Sequence, residues 1–122
     1  MEVKFAKKVK ILGTDYKIEV KKEDPLFAGE HAGAYGVCSW TAHKIIVRDR
    51  SEWHEFKNKQ DDCIEWMKKT LRHEIVHAFF NESGLSTSSN SASRWARNEE
   101  MVDWIALQGP KMYKAWEEAG AL

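Results

Sequence analysis

The sequence predicts a single α+β domain, in which a small, mostly antiparallel sheet is followed by helices. Three observations indicate this class. The 122 residues of the chain can form one hydrophobic core. Apolar residues alternate with charged ones over residues 1–50, as in strands with one buried face. Over residues 51–122 they recur at three- and four-residue steps, as on the buried face of a helix.

The sheet is expected to begin with a β-hairpin. Apolar and charged residues alternate over residues 9–11 and again over residues 16–20. Gly13-Thr14 lies between these two runs and offers the turn. This pattern predicts two strands that share one buried and one solvated face.

A loop separates the hairpin from the rest of the predicted sheet. Residues 23–33 contain Pro25 and two glycines, which favour irregular structure. Two further strand patterns follow, over residues 35–41 and 44–48, with a tight turn predicted at Ala42-His43. The sheet is therefore expected to have three or four strands.

A long helix is predicted after the sheet. Asp61 or Asp62 can cap its N-terminus, and the apolar periodicity continues to about Glu82, where Gly84 ends the helix. The serine-rich residues 83–93 that follow are expected to form a loop.

Two more helices complete the expected fold. One is predicted over residues 94–108, with Ser91 or Ser93 as its N-cap. Gly109-Pro110 is expected to break this helix, because proline lacks a backbone N–H donor. Pro110 can then open a short last helix that ends at about Glu118.

Composition and charge disfavour several functional classes. Nineteen Lys and Arg residues balance nineteen Asp and Glu residues, whereas general nucleic-acid binders carry a basic excess. No apolar run approaches the roughly 20 residues that cross a bilayer, and residues 1–10 lack the apolar stretch of a secretory signal. We therefore expect a cytoplasmic protein with no nucleic-acid or membrane partner, whose two cysteines are free thiols.

A metal-binding pattern lies within the predicted long helix, where residues 73–77 read HEIVH. Residues four apart lie on one helix face, so the imidazoles of His73 and His77 can reach the same metal ion. Glu74 lies about 100° round the helix from His73. There its carboxylate can take the proton from a water at the open metal position.

The next helix offers a third ligand. Glu99 and Asp103 are four residues apart and share one helix face. Glu99 is predicted to bind the metal, and Asp103 to accept a hydrogen bond from the other ring nitrogen of a ligating histidine. Glu100 is the alternative to Glu99, because spacing alone does not decide a shift of one residue.

Two segments together resemble the motifs of thermolysin-like zinc metallopeptidases, the gluzincins. They are HEIVHAFF at residues 73–80 and NEEMVDWIA at residues 98–106. The small size, the strands before the helix and the second motif are most similar to the ImmA/IrrE family of phages, prophages and mobile elements. The resemblance covers about residues 35–107. Val102 and Asp103 depart from the Ala and Asn of the family pattern, and neither position carries a metal ligand.

The resemblance implies a zincin-like fold and a zinc-dependent metallopeptidase. One Zn²⁺ would be held by His73, His77 and Glu99, with Glu74 as the general base that acts on a metal-activated water. It also implies a peptide or protein substrate, such as a regulator encoded by a mobile element. It does not indicate an oligomeric state.

Further residues and functions remain open. Tyr113 could donate to a developing oxyanion, with core packing as the alternative. Tyr35 to Trp40 could form a sheet edge along which an extended peptide adds as a strand. One alternative function is a regulatory module of a mobile element with little or no turnover. Another is a structural protein in which zinc only pins two helices, which a fourth ligand such as His54 or Cys38 would indicate.

Overall fold

A computed structural model of the chain describes residues 4–49, 59–88 and 98–122, and it confirms the α+β class. A short 3-10 turn at Gly29–His31 interrupts the connection between the second and third strands. The elements in chain order are β1 (Lys8–Ile11), β2 (Thr14–Lys21), β3 (Gly36–Ser39), β4 (Lys44–Arg48), α1 (Lys59–Glu82), α2 (Leu85–Ser88) and α3 (Glu99–Glu118).

The four strands form one mixed sheet in the order β1-β2-β4-β3. The outer pairings, β1 with β2 and β3 with β4, are antiparallel as expected, whereas the central pairing of β2 with β4 is parallel. Strand β4 lies at the centre of the sheet, and Ile45, Ile46 and Val47 are all fully buried. Because successive side chains of a strand point to opposite faces, this run of three apolar residues fits a strand that is covered on both faces.

Both turns of the sheet differ slightly from the sequence prediction. The hairpin turn consists of Leu12 and Gly13, so Thr14 already belongs to β2. Leu12 and Gly13 have φ values of 47° and 90°, and a two-residue type I′ turn requires positive φ at both positions. The turn before β4 spans residues 40–43 and ends at His43, which has a φ of 51°.

Helix α1 packs on one face of the sheet. Phe27, Val37 and Ile46 form a smaller cluster on the opposite face, beneath the loop that follows β2. One face of α1 therefore packs on the sheet. Its other faces contact α3 and line the candidate site. The buried residues between α1 and the sheet are Ile11, Tyr16, Ile45, Val47, Cys63, Met67 and Ala78.

Helix α3 is continuous to Glu118, so the predicted break at Gly109-Pro110 is wrong. Pro110 has no N–H to donate to the carbonyl of Ala106, one turn earlier in the helix. Arg72 of α1 donates its Nε to that carbonyl oxygen at 3.0 Å. The helix tolerates the proline because a neighbouring helix supplies the missing hydrogen bond.

Helix α3 also begins later than predicted, at Glu99. Asn98 is its N-cap, with its side-chain Oδ1 accepting a hydrogen bond from the backbone N–H of Met101 at 3.0 Å. The predicted caps Ser91 and Ser93 lie outside the described residues. The cap has a direct consequence for the site, because it places Glu99 in the first turn of the helix.

Helix α1 ends at Glu82 as predicted, and Gly84 follows with a φ of 80°. The described part of the helix starts at Lys59, so Asp61 and Asp62 lie inside the helix rather than at its cap. Part of the predicted serine-rich loop is helical, because α2 spans residues 85–88, and the residues from 89 to 97 lie outside the described part. No helix within the described ranges has the length and apolar character to cross a bilayer.

Candidate metal centre

A cleft of about 960 Å³ runs along helix α1, between strand β3 and the start of helix α3. Strand β3 is an edge strand, so one side of its backbone has no neighbour in the described sheet. Helix α1 forms the floor, and its residues at four-residue steps face the cleft. The cleft therefore combines an open strand edge with a row of helix side chains.

His73, His77 and Glu99 meet on this floor. The histidine rings lie edge to face, with centroids 5.0 Å apart. Glu99 Oε2 lies 3.0 Å from His73 Nε2, and Glu99 Oε1 lies 3.1 Å from His77 Nε2. The potential ligand atoms of the three residues lie within 4.8 Å of one another, and such a group could hold a metal ion. Glu100, the alternative third ligand, is exposed and does not belong to the group.

In the metal-free chain, hydrogen bonds connect the three residues of the group. Hydrogen bonds from His73 and His77 hold the pKa of Glu99 well below its usual range, so this residue is a carboxylate at neutral pH. Burial disfavours protonation of His73, but the hydrogen bond to Glu99 and the charge of Glu74 outweigh it and raise the pKa of His73. A cation that binds here would replace these hydrogen bonds by bonds from Glu99 and the two histidines to the metal.

Asp103 lies beside the other ring nitrogen of His73. Its Oδ1 is 3.2 Å from His73 Nδ1 and also 3.2 Å from the Nζ of Lys69. A carboxylate in this position favours the tautomer in which Nδ1 carries the proton and donates it to the hydrogen bond. In the metal-free chain Nε2 donates to Glu99, and loss of that proton would leave the Nε2 lone pair for a metal while Nδ1 keeps its hydrogen bond to Asp103.

Glu74 is buried in the cleft wall, with only 6% of its surface exposed. Burial raises its pKa to about 6, although the charges of His77 and His73 act in the opposite direction. The backbone of β3 covers it closely, because a Cβ on Gly36 would lie 3.1 Å from Glu74 Cγ. Glu74 is thus a carboxyl group that can carry a proton close to neutral pH.

The two tyrosines singled out in the sequence lie in different places. Tyr35 lines the cleft at the start of β3 and packs edge to face on Trp66, with ring centroids 5.3 Å apart. Tyr113 lies on α3, is 55% exposed and is not among the residues that line the cleft. The structure brings Tyr35, but not Tyr113, to the site.

The possible fourth ligands are not part of the group. Cys38 lines the cleft, but the described cluster of potential ligands does not include it. Burial raises the pKa of its thiol to about 12, so the thiolate form that binds metals is disfavoured. His54 lies outside the described residues. Both Cys38 and Cys63 are free thiols, as expected.

Lys69, Asn81 and Gly36 are among the cleft residues that were not predicted as site residues. Lys69 and Asn81 lie four residues before His73 and four residues after His77, so the spacing itself contained a signal for them. Gly36 carries only the weaker signal of a glycine inside a strand, which often marks a close approach of another backbone or side chain. All three line the cleft.

Comparison with known proteins does not assign the chain to a family. No family model, no curated protein sequence and no solved structure matches it. The geometry of the site and the two sequence motifs are therefore the features of the chain that bear on its function.

Proposed function

We propose that the chain is a zinc-dependent metallopeptidase with a zincin-like fold, which hydrolyses peptide bonds. The observation that carries the proposal is the convergence of His73, His77 and Glu99 at the floor of an open cleft. Two imidazoles and one carboxylate are the ligand set of catalytic zinc sites that keep one position for water. The buried Glu74 beside this group supplies the second requirement, a carboxylate that is not itself a ligand.

The donor set suits zinc better than the other common divalent cations. Imidazole nitrogens favour Zn²⁺ over Mg²⁺ and Ca²⁺, which prefer oxygen ligands. Asp103 contacts Nδ1 of His73, the ring nitrogen that faces away from the group. At many zinc sites a carboxylate accepts a hydrogen bond from the non-ligating nitrogen of a histidine in this way. Among the described residues no fourth ligand joins the group, which leaves room for water and substrate.

The proposed reaction assigns a separate task to each residue. A bound Zn²⁺ would polarise the scissile carbonyl and lower the pKa of a coordinated water toward about 7. Glu74 accepts a proton from the attacking water and then donates it to the leaving nitrogen. In the metal-free chain burial raises the pKa of Glu74 to about 6, so this group is mostly ionised at pH 7 and takes up a proton more readily than an exposed glutamate does.

The open edge of β3 supports a peptide as the substrate. The strand borders the cleft through Gly36, Val37 and Cys38, and it lies at the end of the sheet. An extended peptide can pair with such an edge through its own backbone N–H and C=O groups. We therefore propose a peptide or protein substrate bound beside β3, for which a regulator encoded by a mobile element is the candidate that the resemblance suggests.

Metal content tests the site directly. Untagged protein purified under zinc-replete conditions should contain about one zinc per chain by plasma mass spectrometry. The variants His73→Ala and Glu99→Ala should lose the metal, whereas Glu100→Ala, the matched control, should retain it. A wild-type chain without zinc would contradict the proposal.

Turnover tests the reaction. Glu74→Gln should keep the zinc and lose cleavage of a broad peptide library, because it removes the base without removing a ligand. Undiminished cleavage by this variant would reject Glu74 as the base. A wild-type chain that binds zinc but cleaves no peptide would instead support the alternative of a regulatory module with little or no turnover.

A further inference from the structure

Four polar side chains form one row along the floor of the cleft: Lys69, His73, His77 and Asn81. Each is four residues from the next, and all four line the cleft. Residues at this spacing lie one above another on a helix, about 6 Å apart along its axis. The row therefore extends the candidate metal group by one turn of helix at each end.

Asn81 differs from the rest of the row because its side chain has no hydrogen-bond partner in the described part of the chain. Lys69 forms an ion pair with Asp103 of α3 at 3.2 Å. His73 and His77 both contact Glu99. Asn81 is half-buried, and its amide offers both a donor and an acceptor. Its amide atoms are not buried, so a ligand in the cleft can take the place of the water that they contact.

We infer that Asn81 binds the backbone of the substrate, and this inference rests on the proposed peptidase function. Its Nδ2 donates to a peptide carbonyl, and its Oδ1 accepts from a peptide N–H. The candidate metal group lies between His73 and His77, so its centre is about 9 Å from Asn81 along the helix axis. An extended chain that follows α1 advances about 3.3 Å per residue, so the peptide unit that Asn81 contacts lies about three residues from the scissile bond.

The other end of the row bears on the choice of peptide. Lys69, the lysine that lines the cleft, already pairs with Asp103 at 3.2 Å and lies 4.7 Å from the centre of the Trp66 ring. A terminal carboxylate of a substrate would have to compete with Asp103 for this ammonium group. Among the residues that the structure describes, Lys69 is the lysine at this end of the cleft, and it is already paired, so a longer peptide with blocked ends is the suitable probe.

Peptide binding to a zinc-loaded but inactive protein tests the inference. The probe is the tightest-binding member of a randomised library of octapeptides with blocked ends, measured by calorimetry on the Glu74→Gln protein. Adding Asn81→Ala should weaken binding by about three- to tenfold, as expected for the loss of one or two hydrogen bonds. The matched control is Gln108→Ala, which removes another half-buried amide, on α3 and away from the cleft, and should leave binding unchanged.

A scan of the same octapeptide with single backbone esters separates a direct contact from a structural effect. Each ester replaces one peptide N–H by oxygen and removes one donor. At one position the ester should weaken binding to the protein that retains Asn81 and have no further effect when Asn81 is alanine. Equal effects of every ester on both proteins would overturn the inference, even if Asn81→Ala binds more weakly.

The two hypotheses fail in different ways. Absence of zinc from the wild-type chain rejects the proposed function, whatever the peptide measurements show. If the zinc-loaded protein binds octapeptides and Asn81→Ala binds them equally well, the inference is rejected and the metal site remains. Failure to bind any octapeptide also rejects the inference.

Discussion

Gly36 determines how closely strand β3 approaches helix α1. A Cβ at this position would lie 2.7 Å from Thr70 Cγ2 and 3.1 Å from Glu74 Cγ. The backbone carbonyl oxygen of Ile46 would be 3.1 Å away on another side, so the new atom has no free direction. The absence of a side chain at residue 36 therefore allows Glu74 to be buried beside the candidate metal group.

We predict that Gly36→Ala destabilises the protein by about 1–3 kcal/mol, because the added methyl group overpacks a tight contact. Peptide cleavage should also fall, since relief of the contact displaces Glu74. Gly33→Ala is the matched control, because nothing lies within 4 Å of a Cβ there, and its effect should stay within about 0.5 kcal/mol. Urea unfolding of the three proteins measures the difference, and equal stabilities would contradict the prediction.

Burial of Glu74 makes the stability of the metal-free protein depend on pH. Its pKa is raised from 4.5 to about 6 in the folded chain. The protonated form therefore contributes stability that is fully present below the unfolded pKa of 4.5. This contribution is lost as the pH rises through about 6, because the folded protein must then hold a buried carboxylate.

Glu74→Gln should remove this loss, since glutamine does not ionise. In the presence of a chelator, the variant should gain on the order of 2 kcal/mol relative to wild type between pH 4 and pH 7. The measurement is the free energy of unfolding of both proteins across that range. A difference between the two proteins that stays constant with pH would show that Glu74 has an ordinary pKa.

Among the elements, helix α3 depends most clearly on a neighbour. Its proline removes one internal hydrogen bond, and Arg72 of α1 replaces that bond by donating to Ala106 O. The same two helices carry the candidate ligands, because α1 provides His73 and His77 and α3 provides Glu99. The contact that preserves α3 thus also keeps its first turn in register with the histidines.

We predict that Arg72→Met costs about 1–3 kcal/mol in the natural chain, because it leaves a carbonyl without a charged donor. The cost should be smaller in a Pro110→Ala background, where residue 110 regains an N–H for Ala106. A double-mutant cycle by urea unfolding measures this coupling. Lys68→Met is the control, because Lys68 makes only an exposed ion pair with Glu65 and should contribute little. Additive effects of the two substitutions would contradict the prediction.

In the molecule as a whole, the candidate metal ion would connect helix α1 to helix α3, and these two helices differ in how much of their surface is buried. Helix α1 is packed onto the sheet by a buried apolar interface. In helix α3, only Val102 and Ala106 are buried among the residues that the structure describes. A metal that binds both helices should therefore stabilise the folded chain through its link to α3.

Zinc should raise the thermal midpoint of protein that has been stripped with a chelator. Free zinc at 100 times the dissociation constant stabilises the folded state by about 2.7 kcal/mol, which corresponds to a shift of several degrees. Glu99→Ala should reduce the shift, and Glu100→Ala should leave it intact. Scanning calorimetry provides the measurement, and an equal shift in both variants would argue against Glu99 as a ligand.

Patterns that repeat over a few residues were sufficient to predict the class of fold and much of the site. Alternation predicted the strands, and the three- and four-residue period predicted α1 to its end at Glu82. The spacing of His73 and His77 predicted a shared centre, because residues four apart on a helix are always neighbours. The spacing of Glu99 and Asp103 likewise predicted that both would face the same side.

Other features depended on contacts between residues far apart in the sequence. The parallel pairing of β2 with β4 joins strands that β3 separates in the sequence, and α3 continues through Pro110 because Arg72 lies beside it. The choice of Glu99 over Glu100 required the position of α3 against α1. Local periodicity specifies which face of an element is apolar, but which partner covers that face is a property of the assembled chain.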